Sequence, residues 1–88
     1  MAEADSRILV VEDEADQRRL IVGILEREGF SVGSVGSADE ASASLEDEPS
    51  DLILCDWRMP GRDGGELLEE VRQTGLDTAF IVMTAYGS

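Results

Sequence analysis

Three short apolar runs, each stopping at a residue that can do chemistry, constrain this chain more tightly than anything else in it. Ile8 to Val11 ends in Glu12, Asp13 and Glu14; Leu52 to Cys55 ends at Asp56; Ala79 to Met83 leads into Thr84. Unbroken apolar runs of this length suit strands covered on both faces of a parallel sheet. Between them the period turns helical. From Ala15 to Glu28, Leu20, Ile21, Ile24 and Leu25 make one apolar face while Arg18, Arg19, Glu26 and Arg27 stay outside. Gly29 is placed to stop this helix as a left-handed cap. Ser37 and Glu40 have the form of a capping box, opening a second helix through about Leu45, with Glu46 to Ser50 as loop. Asp63 and Glu66 open a third, with Leu67, Leu68 and Val71 on its buried side and Gly75 at its end. Phe30, Val32 and Val35 read as a further short strand, weakened by Gly33 and Gly36. Trp57 to Gly61 reads as loop, punctuated by Pro60 and Gly61.

The order β-α-β-α-β-α-β with short connections predicts an α/β fold, an open parallel sheet with helices on both faces. A chain of 88 residues allows one domain with little stability to spare. Twenty acidic residues against seven basic ones, all arginine, leave a net charge of −13. That balance excludes nucleic acid as a direct ligand of this segment, because neutralising phosphates drives such binding. It fits a chain that holds cations or meets a basic surface. Cys55, the single cysteine, lies inside an apolar run and reads as a buried thiol in a reducing compartment. No run approaches the ~18 apolar residues of a membrane span, and the acidic start is unlike a signal peptide. The expectation is a cytoplasmic chain with no membrane contact.

In an open parallel sheet, function gathers beyond the carboxyl ends of the strands. Glu12, Asp13, Asp56 and Thr84 all fall there. Carboxylates converging from separate strands repel one another unless a cation or protons neutralise them. Hard oxygen ligands in a small cluster suit magnesium, with manganese as a substitute. Each acid alone could simply mark where a buried strand surfaces; the cluster is what carries information.

Three blocks, Ile8-Leu9-Val10-Val11-Glu12-Asp13-Glu14, Leu52-Ile53-Leu54-Cys55-Asp56-Trp57-Arg58-Met59-Pro60-Gly61 and Ile81-Val82-Met83-Thr84-Ala85-Tyr86-Gly87, resemble the receiver domain of bacterial two-component response regulators in order and spacing. The resemblance runs from Arg7 onward, with residues 1–6 as a tail and 7–88 as a partial receiver. It implies a flavodoxin-like sheet of order 2-1-3-4-5, here without the fourth helix, fifth strand and fifth helix. It implies that Asp56 accepts a phosphoryl group from a sensor histidine kinase. Asp13 would ligate magnesium directly, Glu12 through a water, and Arg58 through its backbone carbonyl. Thr84 would contact the phosphoryl group and carry the switch, and Ala85 would keep Asp56 accessible. The fourth-strand block looks most like nitrogen-regulator-type transcriptional activators, which implies an output in transcription.

Two departures stand out. Glu12 replaces the commoner aspartate, a lengthening that coordination through water tolerates. The lysine that such domains carry on a fifth strand has no counterpart, since the chain contains no lysine. Its absence removes a charge-assisted contact worth ~2 to 4 kcal/mol to a developing phosphoryl charge, so slower labelling is expected. The competing reading is a protein-interaction module of the same fold that works without phosphate; a metal-dependent phosphatase and a nucleotide-binding domain fit less well. With the strand-four edge, Ile8 to Val11 and the Leu20–Ile24 face short of cover, self-association is also expected.

Overall fold

The computed structural model describes residues 6–57, 61, 63–74 and 78–83. Four strands, β1 (Arg7–Val11), β2 (Ser31–Val35), β3 (Leu52–Asp56) and β4 (Ala79–Met83), alternate with three helices, α1 (Ala15–Arg27), α2 (Ala38–Asp47) and α3 (Gly64–Thr74). All pairings are parallel and the order is β2-β1-β3-β4. β1, whose Ile8, Leu9, Val10 and Val11 are all buried, takes an interior position between β2 and β3. Leu9 pairs with Ile53 and Val11 with Cys55, so these four share a face. Ala38, Ala41 and Leu45 of α2 and Leu67 and Val71 of α3 close over it as the core. Ile8 and Val10 alternate to the opposite face, where α1 packs along β1 and β2. Burying each large aliphatic here contributes roughly 1.5–3 kcal/mol.

Helix boundaries follow local chemistry. At the end of α1, Gly29 adopts φ 97°; its N–H donates to Glu26 O and the Phe30 N–H to Leu25 O. This is the paired C-terminal closure that only a residue free to enter the left-handed region makes cheaply. At α3, the Glu66 N–H donates to Asp63 Oδ1 (2.9 Å) and the Asp63 N–H to Glu66 Oε1 (3.1 Å), a complete reciprocal box. At α2, Ser37 Oγ accepts from the Glu40 N–H (3.1 Å), but Glu40 reaches one residue further back, to the Gly36 N–H (2.8 Å).

Several sequence expectations are corrected. Glu46 and Asp47 belong to α2 rather than to the following loop; with the helix already nucleated, two charged residues on its solvent side cost little. Phe30 lies outside β2, since its N–H is committed to closing α1. The apolar residues of β1 are fully covered: Ile8 at 4% exposure and Val10 at 0% on the face where α1 packs, Leu9 and Val11 on the face closed by α2 and α3. On the Leu20–Ile24 face of α1 and on β4, the expected shortfall of cover is observed. Leu20 and Ile24 are 59% and 49% exposed, and Ile81 and Val82 are 50% and 37%. Gly75, proposed to end α3, lies outside the described residues.

Candidate functional site

Parallel pairing of β1 with β3 in the register Val11↔Cys55 brings the next residue of each chain segment, Glu12 and Asp56, side by side at the carboxyl edge. Asp13 follows immediately. One carboxylate oxygen from each of Glu12, Asp13 and Asp56 lies within 4.8 Å of the others. Glu12 is buried, Asp56 half-buried and Asp13 exposed, so the cluster is a crevice open on one side.

Glu12 is held from three directions. Its N–H donates to Val35 O (3.1 Å), its Oε2 accepts from the Glu14 N–H (3.1 Å), and its carbonyl accepts from Arg18 Nη1 (2.7 Å). Burial pushes its carboxyl above the usual range, and the Asp56 charge, a hydrogen bond shared with Asp56 and the Asp13 charge push the same way. The Glu14 N–H opposes them. Burial is the largest of these effects, and the neighbouring carboxylate charges add to it. Burial also raises the Cys55 thiol to about 12, aided by the charges of Asp56, Glu12 and Asp63.

The start of α3 abuts the end of β3. A Cβ on Gly64 would stand 2.9 Å from Asp56 O and 3.1 Å from Trp57 Cα, and the Gly64 N–H donates to Trp57 O (3.1 Å). A Cβ on Gly65 would meet Trp57 Cη2 at 2.9 Å. Gly64 therefore lets the helix close on the backbone of Asp56 and Trp57, and Gly65 leaves room for the Trp57 ring. Trp57 lies against this helix start, 44% exposed, with its N–H continuing the sheet to Met83 O (2.9 Å).

The donor set is all carboxylate oxygen, which suits magnesium, manganese or calcium and not the thiophilic metals. The acids fit such an ion by chemistry, spacing and mutual repulsion. Of the residues expected to work here, Glu12, Asp13 and Asp56 come together; Arg58, Thr84 and Ala85 lie outside the described residues, as do Met59, Pro60 and Arg62. Arg18, expected to stay in solvent, instead is half-buried and bonded to Glu12. Long side chains near a helix start lean back over the preceding turn, and Arg18 sits four residues after Glu14, so that signal was available. The glycine pair Gly64-Gly65 next to a helix start was likewise legible as a close approach.

Over residues 8–88 the chain matches the family model described as the response regulator receiver domain. The hydrogenase transcriptional regulatory protein HoxA of Cupriavidus necator is 42% identical over 86 residues, covering 98% of this chain and 18% of that protein. The transcriptional regulatory protein ResD of Bacillus subtilis is 42% identical over 83 residues, covering 94% and 34%. Among solved structures, the response regulator TrrA of Thermotoga maritima in complex with Mg(2+)-BeF superposes with a TM-score of 0.88 at 35% identity, over 93% of this chain and 71% of that one. The chain spans about a fifth to about a third of the length of these two curated relatives.

Proposed function

Because the chain belongs to the response-regulator receiver family, we propose that it accepts a phosphoryl group on Asp56 from the phosphohistidine of a sensor kinase and signals by the conformational change that follows. The observation that carries this reading is the convergence of Glu12, Asp13 and Asp56 at the carboxyl ends of β1 and β3. The similar TrrA was solved with Mg(2+)-BeF, which supports placing a divalent ion and a phosphoryl-like group at the same crevice here. HoxA and ResD are transcriptional regulatory proteins, which supports an output in transcription.

An oxygen of the Asp56 carboxylate attacks the phosphorus, and the bond from phosphorus to the donor imidazole nitrogen breaks. The product is an acyl phosphate on Asp56; attack by water at that phosphorus later releases phosphate and restores the carboxylate. Such transfer depends on positioning and charge neutralisation more than on acid–base catalysis. Asp56 is suited to it because aspartate carboxylates serve as nucleophiles that form aspartyl-phosphate intermediates. Asp13 and Asp56, with the Arg58 carbonyl, would hold magnesium directly, and Glu12 would hold it through water. The bound ion supplies positive charge against the three carboxylates and the incoming phosphoryl oxygens. As the family resemblance implies, Thr84 would take the switch contact with the phosphoryl group, and the small Ala85 would leave Asp56 open to the donor. In this sense the domain catalyses its own phosphorylation and slow dephosphorylation.

Trp57, adjoining Asp56, reports metal binding by fluorescence. Asp13→Asn keeps an oxygen but loses a charge, and should weaken magnesium roughly tenfold or more, about 1.4 kcal/mol. An unchanged affinity would reject this ligand set.

A further inference from the structure

We propose that Arg18 is a positioning residue for the metal-binding acids, setting the peptide between Glu12 and Asp13 from the first turns of α1. The inference rests on the metal reading above and adds the residue that aims its ligands. The Arg18 guanidinium donates to the Glu12 carbonyl at 2.7 Å, a short charge-assisted bond. That oxygen lies in one rigid plane with the Asp13 nitrogen and Cα. Fixing it fixes the direction in which Asp13, the exposed acid of the cluster, leaves the backbone. The other end of Glu12 is already tied to β2 by its N–H on Val35 O, so Arg18 closes the remaining freedom of the turn.

The β2–α2 connection is shaped around the same guanidinium. A Cβ on Gly36 would stand 3.1 Å from Arg18 Nη1 and 3.7 Å from Glu40 Oε1, and Glu40 Oε1 accepts the Gly36 N–H at 2.8 Å. Gly36 thus leaves the room in which the guanidinium reaches Glu12. Its φ is not positive, so the absence of a side chain there serves space rather than backbone conformation.

The test is a magnesium titration read by Trp57 fluorescence and by calorimetry, on the chain and on Arg18→Ala, Arg18→Lys, Gly36→Ala and the Arg18→Ala/Gly36→Ala double variant. Arg18→Ala should weaken magnesium roughly three- to tenfold, the scale of one such bond, and Arg18→Lys, which keeps a charged donor, should recover most of it. Gly36→Ala should weaken binding in the native background and add nothing once Arg18 is gone, since both act through one contact. Gly36→Ala retains Arg18 and meets only the far end of a side chain, so it carries the test even if Arg18→Ala unfolds. A guanidinium near a cation site also repels the ion; tighter binding in Arg18→Ala would show that repulsion dominates and overturn the proposal. Unchanged affinity in both single variants, or additive losses in the double variant, would also overturn it. A native chain that binds no magnesium overturns the metal reading and this inference together.

Discussion

Asp56 and Cys55 are adjacent residues with opposite fates, and the two-residue repeat of β3 explains both. Cys55 points into the core at 0% exposure, while Asp56 emerges at the crevice. Deprotonating Cys55 would place an anion in apolar surroundings beside three acids, which is why its thiol rises from 9.0 to about 12. The sign is fixed: the folded state holds the proton more tightly than the unfolded chain. Its stabilising contribution is full below pH 9, declines as the unfolded thiol ionises and is lost as pH rises towards 12. Cys55 should therefore resist alkylation at pH 8–9 in the folded chain and react promptly in denaturant; equal rates would show the thiol is not buried as described. Glu12, Asp13 and Asp56 were legible in the sequence because apolar runs that stop at acids are strand ends in a parallel sheet. Arg18 was not read correctly, since a hydrophobic pattern assigns polar residues to solvent and carries no information on where a long side chain bends.

The same contrast between pattern and geometry holds for whole elements. Gly23 lies within α1 with nothing within 4 Å of an added Cβ, whereas Gly64 opens α3 against the Asp56 carbonyl at 2.9 Å. One substitution should act with opposite sign at the two sites. Gly23→Ala should stabilise by about 0.5–1 kcal/mol through helix propensity. Gly64→Ala should destabilise by roughly 1–3 kcal/mol, because backbone rather than a flexible side chain must move. Denaturant unfolding of both variants checks this; stabilisation at Gly64 would show that α3 does not press on the end of β3. Helix starts at Ser37 and Asp63 were readable because capping chemistry is local. The end of α2 was not: Glu46 and Asp47 have turn-like composition, and only the packing of Leu45 into the core shows that the helix runs past it.

For the molecule as a whole, the alternation of strands and helices was legible in the hydrophobic pattern, yet the distribution of cover was not: β4 is apolar at every position and still lies at the edge of the sheet. Helix α1 lies over β1 and β2, so the β3–β4 half of that face is left thin; Val10, Leu54 and Ile81 share it by register, and Ile81 is half-exposed. With Ile81 exposed on one face of β4 and Val82 on the other, the outer edge of β4 is a template for pairing with a second copy, while Leu20 and Ile24 form a separate apolar stripe on α1. A net charge of −13 opposes that association, so screening should favour it. Sedimentation at micromolar concentrations is expected to show a dimer that strengthens with salt; a salt-independent monomer would contradict it. The central claim, that the three acids form a cation-dependent phosphoacceptor centred on Asp56, is tested most directly by intact-mass measurement after incubation with magnesium and a small acyl-phosphate donor. The predicted result is slow gain of a single phosphoryl group that requires the divalent ion and vanishes in Asp56→Asn. Incorporation that persists in Asp56→Asn, or none in a native chain that binds magnesium, would contradict the account.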